Sequence, residues 1–139
     1  MEVSTTGTSN SSQFSRFGAY HRQDTFSDRP TFKHESRDEY MFYMPGRSRG
    51  LWMIGPQIGK FSGGLANRGD EVCPENLRRS WKFANGRGWV VDSKVNITCI
   101  NSESGNSINT GVLCNNSAKT LLIEQFLLFT CLFIHLFKF

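Results

Sequence analysis

At 139 residues and 38% hydrophobic content, the chain has room for one small domain with flanks, and its core is thin enough to need a covalent staple. The formal net charge of +4 invites a nucleic-acid reading. However, cations such as Arg22, Lys33, Arg47 and Arg87 are scattered and interleaved with acids, as in HESRDE at 34–39, whereas a phosphate-binding footprint clusters on one element. The bland reading is a solvated surface of mixed charge.

Residues 1–13, MEVSTTGTSNSSQ, hold too little apolar surface to offset ordering and read as disordered. They also lack the basic and apolar regions of a secretory leader. From Phe14 to Cys99 the pattern is strands and turns. Thr31–His34 is a weak strand. Tyr40–Met44 and Leu51–Ile54 flank PGRSRG as the arms of a hairpin. The Gly-rich stretch from Gly55 to Asp70 reads as an extended loop with at most a short strand near Phe61 or Leu65. Trp81–Ala84 and Trp89–Asp92 flank Asn85-Gly86-Arg87-Gly88, a second hairpin in which Asn-Gly supplies positive φ. Val95–Cys99 alternates, with Val95, Ile97 and Cys99 on one face and Asn96 on the other. The expected fold is all-β, a small antiparallel sheet or sandwich of hairpins occupying residues 14–99.

Residues 100–118 are polar and aperiodic, and read as a linker. Residues 119–139 form a hydrophobic tail with helical character. It reaches the roughly 20 apolar residues of a membrane span only by including Glu124, Gln125, His135 and Lys138. Three readings stay open for it: a weak membrane anchor, a cleaved glycolipid-anchor signal preceded by small residues, or a segment without function.

Four cysteines fall at 73, 99, 114 and 131. None has CxxC spacing, and His21 and His34 lie far from them in sequence, so no metal site is expected. A bridge between Cys73 and Cys99 would close a loop of about 27 residues around the Trp81/Trp89 hairpin, contributing roughly 3 kcal/mol. The rival reading is two buried free thiols. Sequons at Asn10, Asn96 and Asn115 are glycosylation candidates pointing to the same oxidising compartment. A chain that needs such a compartment without a leader reads as a fragment of a larger protein.

Arg68-Gly69-Asp70 places a cation and a carboxylate on a tight turn, as adhesion ligands do toward integrin-type receptors, where the Asp completes a metal coordination sphere. The competing reading is a solvated turn. Trp52, Trp81 and Trp89 are expected to form the core rather than a ligand platform. No nucleophile elbow, phosphate loop or catalytic pairing is present, so neither an enzyme nor a cofactor is expected.

Gly18-Ala19-Tyr20, Arg29-Pro30-Thr31-Phe32, Tyr40-Met41-Phe42-Tyr43, Trp52-Met53-Ile54-Gly55, Trp81, Trp89-Val90-Val91-Asp92 and Val95–Cys99 follow one another in an order that resembles a small extracellular module of invertebrate surface and secreted multidomain proteins. The resemblance covers residues 17–99 and implies a disulfide-supported binding or spacer unit, with no functional residues carried over. The expected role is a non-catalytic extracellular or cell-surface interaction module with a protein or glycan partner, with membrane contact through the tail left open. The alternative is a basic intracellular module that stacks single-stranded nucleic acid on Tyr40 and Phe42 beside the turn arginines.

Overall fold

The computed structural model describes residues 1–99. The linker, the tail, Cys114, Cys131 and Asn115 lie outside the described residues. The described residues are all-β, with nine antiparallel strands: β1 (Glu2–Ser4), β2 (Gly18–Phe26), β3 (Arg29–His34), β4 (Tyr40–Met44), β5 (Leu51–Gly55), β6 (Leu65–Arg68), β7 (Trp81–Ala84), β8 (Trp89–Asp92) and β9 (Asn96–Thr98). A five-residue helix, α1 (Ser9–Gln13), follows β1, and single 3-10 turns occupy Phe14–Arg16 and Pro74–Asn76.

The strands form one sheet in the order β8-β7-β6-β5-β4-β3-β2-β1-β9. Sequence neighbours pair throughout, except that β9 returns to pair with β1. β8 and β9 therefore stand at opposite ends of the order, yet only Ser93–Val95 joins them. That link spans at most about 14 Å. A flat sheet would separate the two strands by roughly 38 Å, at about 4.8 Å per strand spacing. The sheet must roll up, and its right-handed twist supplies the curvature.

Rolling gives the sheet an inner and an outer face, and the register shows how each is filled. On the inner face one row runs Phe32, Met41, Ile54, Leu65, Phe83, Val90 across six strands. The first five are buried, and Trp52, Tyr20 and Val3 pack on the same side. On the outer face a second row runs Phe42, Met53, Ala66, Lys82, Val91. Its first three members form a buried cluster packed against Tyr40, Met44, Leu51 and Ile58. Phe26 meets Phe42 edge to face at 6.4 Å. β4 and β5 are thus apolar on both faces because Ile58 in the β5–β6 loop comes back over them. Burying each such side chain stabilises the fold by about 1.5–3 kcal/mol.

Residues 1–13 are ordered rather than disordered, a correction to the expectation from composition. Val3 is fully buried between Gly18 and Ile97. The polar residues that follow are held by hydrogen bonds that composition does not reveal. Ser9 donates to Asp92 through both N and Oγ, and Gln13 Nε2 donates to the Ala84 carbonyl at 2.6 Å. Residues 1–13 therefore belong to the folded module, which was expected to start at residue 14. β2 was also not expected as a strand; among its residues only Tyr20 is buried. It turns into β3 through Ser27 and Asp28, both at positive φ, the geometry of a two-residue hairpin turn without glycine.

Candidate functional site

A polar strut crosses the end of the sheet formed by the β3–β4 and β7–β8 turns. Gln13 Nε2 holds the Ala84 carbonyl, Gln13 Oε1 accepts from Arg16 Nη1 at 2.6 Å, and Arg16 Nη2 pairs with Glu39 Oε1 at 3.1 Å. Tyr20 Oη donates to the Arg16 carbonyl at 2.9 Å. His34 accepts at Nδ1 from Ser36 N–H and donates from Nε2 to the Phe17 carbonyl, which fixes the tautomer. Arg37 Nη1, 3.3 Å from the protonated Nε2, is a close neighbour rather than a donor to it. Burial holds the Glu39 carboxyl above the usual carboxylate range despite Arg16, and likewise pushes the Tyr20 phenol up. This is the described cluster closest in composition to a catalytic one. Its bonds run to backbone groups and to one another, so it braces the fold.

The Arg68-Gly69-Asp70 tripeptide begins at the end of β6 and continues into the following loop. Asp70 Oδ1 accepts from Tyr43 Oη at 2.8 Å and from Gly50 N–H at 2.6 Å. Arg49 Nε lies 3.8 Å from Oδ2. The bonds from Gly50 and Tyr43 hold the carboxyl below its ordinary range. Arg29 adds a donor to the Asp70 carbonyl at 3.2 Å and stacks over Tyr43 at 5.1 Å. The carboxylate that a receptor-bound metal would require already closes the Pro45–Gly50 turn.

Cys73 is buried ahead of the Pro74–Asn76 turn, and Cys99 is exposed just after β9. β9 packs on that turn, and Cys99 Sγ donates to Glu75 Oε1 at 3.4 Å. Both cysteines are free thiols here: the topology brings the pair to the same region, and the structure shows no bridge between them. Partial burial, then the Glu75 carboxylate, push the Cys99 thiol up. Asn96 is exposed, with Val95 and Ile97 buried on the other side, as the alternation predicts. Asn10 is exposed on α1. Among the described residues no group of three potential ligands is placed to hold a metal. No described helix is long and apolar enough to cross a membrane.

Trp52 and Trp81 are core residues, but Trp89 is 46% exposed, which corrects the expectation that all three pack inside. Phe42 is fully buried and so unavailable for base stacking. The surface feature that emerges instead is the hairpin β7–β8. β8 ends the strand order, so its far backbone edge has no ladder partner among the described residues. Both apolar rows of the sheet run out on it: Val90, on the inner row, is 39% exposed and Val91, on the outer row, is 55% exposed. Trp89 lies opposite Ala84 and shares the outer face with Val91 and Lys82. Asp92, opposite Trp81, is buried against Ser9 and Thr5. The sequence carried this signal in Trp89-Val90-Val91, three consecutive apolar residues where a half-buried strand alternates. Comparison with family models, with curated proteins and with solved structures returned no match.

Proposed function

We propose that this protein is a non-catalytic interaction module, displayed outside the cell or on its surface, that holds a protein partner at the open edge of β8. One observation carries the reading: among the described residues, the inner and outer apolar rows both end, uncovered, on the same edge strand. Soluble chains blunt such edges with charge, proline or a bulge unless something binds there. Trp89-Val90-Val91 has none of these. The extracellular placement rests on the exposed sequon at Asn96 and on the nearness of Cys73 and Cys99. The proposed contact lies at β8 rather than at Arg68-Gly69-Asp70, because Asp70 Oδ1 is taken by Tyr43 and Gly50.

A photo-crosslinking residue at position 89 tests this, with position 61 as control, since Phe61 is 73% exposed in the β5–β6 loop. Protein adducts from 89 and not from 61 are expected on intact cells or in conditioned medium. Equal yields from both positions, or none, would end the proposal. A second reading, single-stranded nucleic acid stacked on Trp89 beside Lys82 and Arg87, would instead give nuclease-sensitive adducts.

A further inference from the structure

Building on that reading, we infer that the partner of β8 is an extended peptide segment, aliphatic in its middle and carboxylate-bearing at its ends, which adds to the sheet as a tenth strand. A ligand lying on one face of the hairpin would cover either Val90 or Trp89 and Val91, because these belong to opposite faces. A strand laid along the edge covers both. It continues the row from Phe83 to Val90 on the inside and the row from Lys82 to Val91 on the outside, and its backbone meets the unpaired groups of β8. Branched aliphatic side chains suit the cross-strand positions beside two valines.

The charge around the edge selects the ends of that strand. Between Arg78 and Lys94 the chain holds Arg78, Arg79, Lys82, Arg87 and Lys94 against one acid, Asp92. The five cations are all exposed, and Asp92 is buried and spent on Ser9 and Thr5. Arg87 lies just before the exposed stretch and Lys94 just after it. Carboxylates flanking the partner strand therefore meet cations at both ends, while a basic or uncharged segment does not. Nucleic acid would satisfy the cations and Trp89, but it offers nothing to two valines or to a strand edge.

The test uses the full chain and a fluorescein-labelled peptide, Glu-Asp-Val-Val-Ile-Val-Asp-Glu. Comparison probes are the same peptide with Lys-Arg at both ends and an oligothymidine of similar length. The acid-ended peptide is expected to bind, to weaken as salt rises, and to protect the Trp89 and Val91 amides, which point away from β7, from exchange in the unaltered protein. Lys82→Glu with Arg87→Glu, both exposed, should weaken it by about tenfold or more and narrow its advantage over the Lys-Arg peptide. Circular dichroism checks that this variant keeps its fold, and amide protection in the wild type stands without it. Failure of the acid-ended peptide to bind, binding without protection at β8, or indifference to the charge swap would overturn the inference. So would preference for the oligothymidine, or self-association lost in Trp89→Ser, which would make the occupant a second copy. If crosslinking from position 89 still yields protein adducts while the peptide fails, the interaction module stands and only the nature of its partner falls.

Discussion

Ser9 and Asp92, 83 residues apart in sequence, are joined by two hydrogen bonds: Ser9 N donates to Asp92 Oδ2 at 3.0 Å and Ser9 Oγ to the same oxygen at 2.5 Å. Thr5 Oγ1 adds a third donor to Oδ2, and Lys94 N bonds Oδ1. The contact ties the segment after β1 to the end of β8, where no strand ladder joins the two. Asp92→Ala strands buried donors and is expected to cost about 1–3 kcal/mol of unfolding free energy in urea titrations. Ser9→Ala should cost less, because the backbone donor remains.

Glu39 and Asp92 give opposite responses to pH. Burial pushes Asp92 up, but the hydrogen bonds from Ser9, Lys94 and Thr5 outweigh it and hold the carboxyl below its ordinary range. Its contribution is complete above that range and is lost as pH falls through the lowered value. Burial raises Glu39 in spite of Arg16, His34 and Arg37. The fold disfavours its ionised form, so that penalty is present near neutral pH and is relieved on mild acidification. Stability followed by thermal melts should rise slightly from neutral pH toward the ordinary carboxylate range and then fall. Glu39→Gln should remove the rise and Asp92→Asn should reduce the fall.

Gly64 makes room for the strut. A Cβ there would run into Gln13 Oε1, and would lie 2.7 Å from Arg16 Nη1, both of which are held by their own partners. Gly64→Ala is expected to destabilise by about 1–3 kcal/mol, the range for overpacking. Gly88 has open space around its Cβ position and no positive φ, so Gly88→Ala should be close to neutral. Gly86 also has open space, but its φ of 84° makes an alanine there strained. The ordering Gly88, Gly86, Gly64 in thermal midpoints checks the geometry.

Asp70→Ala should loosen the 45–50 turn, because Tyr43 Oη and Gly50 N–H lose their common acceptor. Faster amide exchange at Gly50 is the expected sign, with a smaller loss of stability than at Asp92. Cell attachment through cation-dependent receptors should not change with Asp70→Glu.

Cys73 and Cys99 should close under a small-molecule disulfide such as oxidised glutathione, losing two hydrogens from the protein, seen as a 2 Da decrease in intact mass. Oxidation should accelerate with rising pH, since the Cys99 thiol is held up by burial and Glu75. Glu75→Gln should accelerate it further. The bridged form is expected to gain roughly 3 kcal/mol, less any strain of closing.

The hairpins of this sheet are legible in the sequence because aromatic arms and Gly-rich turns mark them: Tyr40–Met44 with Leu51–Gly55, and Trp81–Ala84 with Trp89–Asp92. β2 is not, because polar side chains dominate it and its turn uses Ser27 and Asp28 in place of glycine. β1 and α1 are not, because their order comes from Val3 and from Asp92 and Ala84, partners more than 70 residues away. Local pattern cannot report a bond whose acceptor lies at the other end of the chain. The exposed edge was hidden for a related reason: Trp89-Val90-Val91 looks like core until the strand order shows that no described strand pairs beyond it.

The pairing of Glu2 with Thr98 puts the first and last strands of the described residues one strand spacing apart. Such a unit can be spliced into a surface loop of another protein without stretching either host or guest. It should equally tolerate a circular rearrangement in which a short linker joins its ends and new termini open at Gly86, leaving every ladder of the sheet in place.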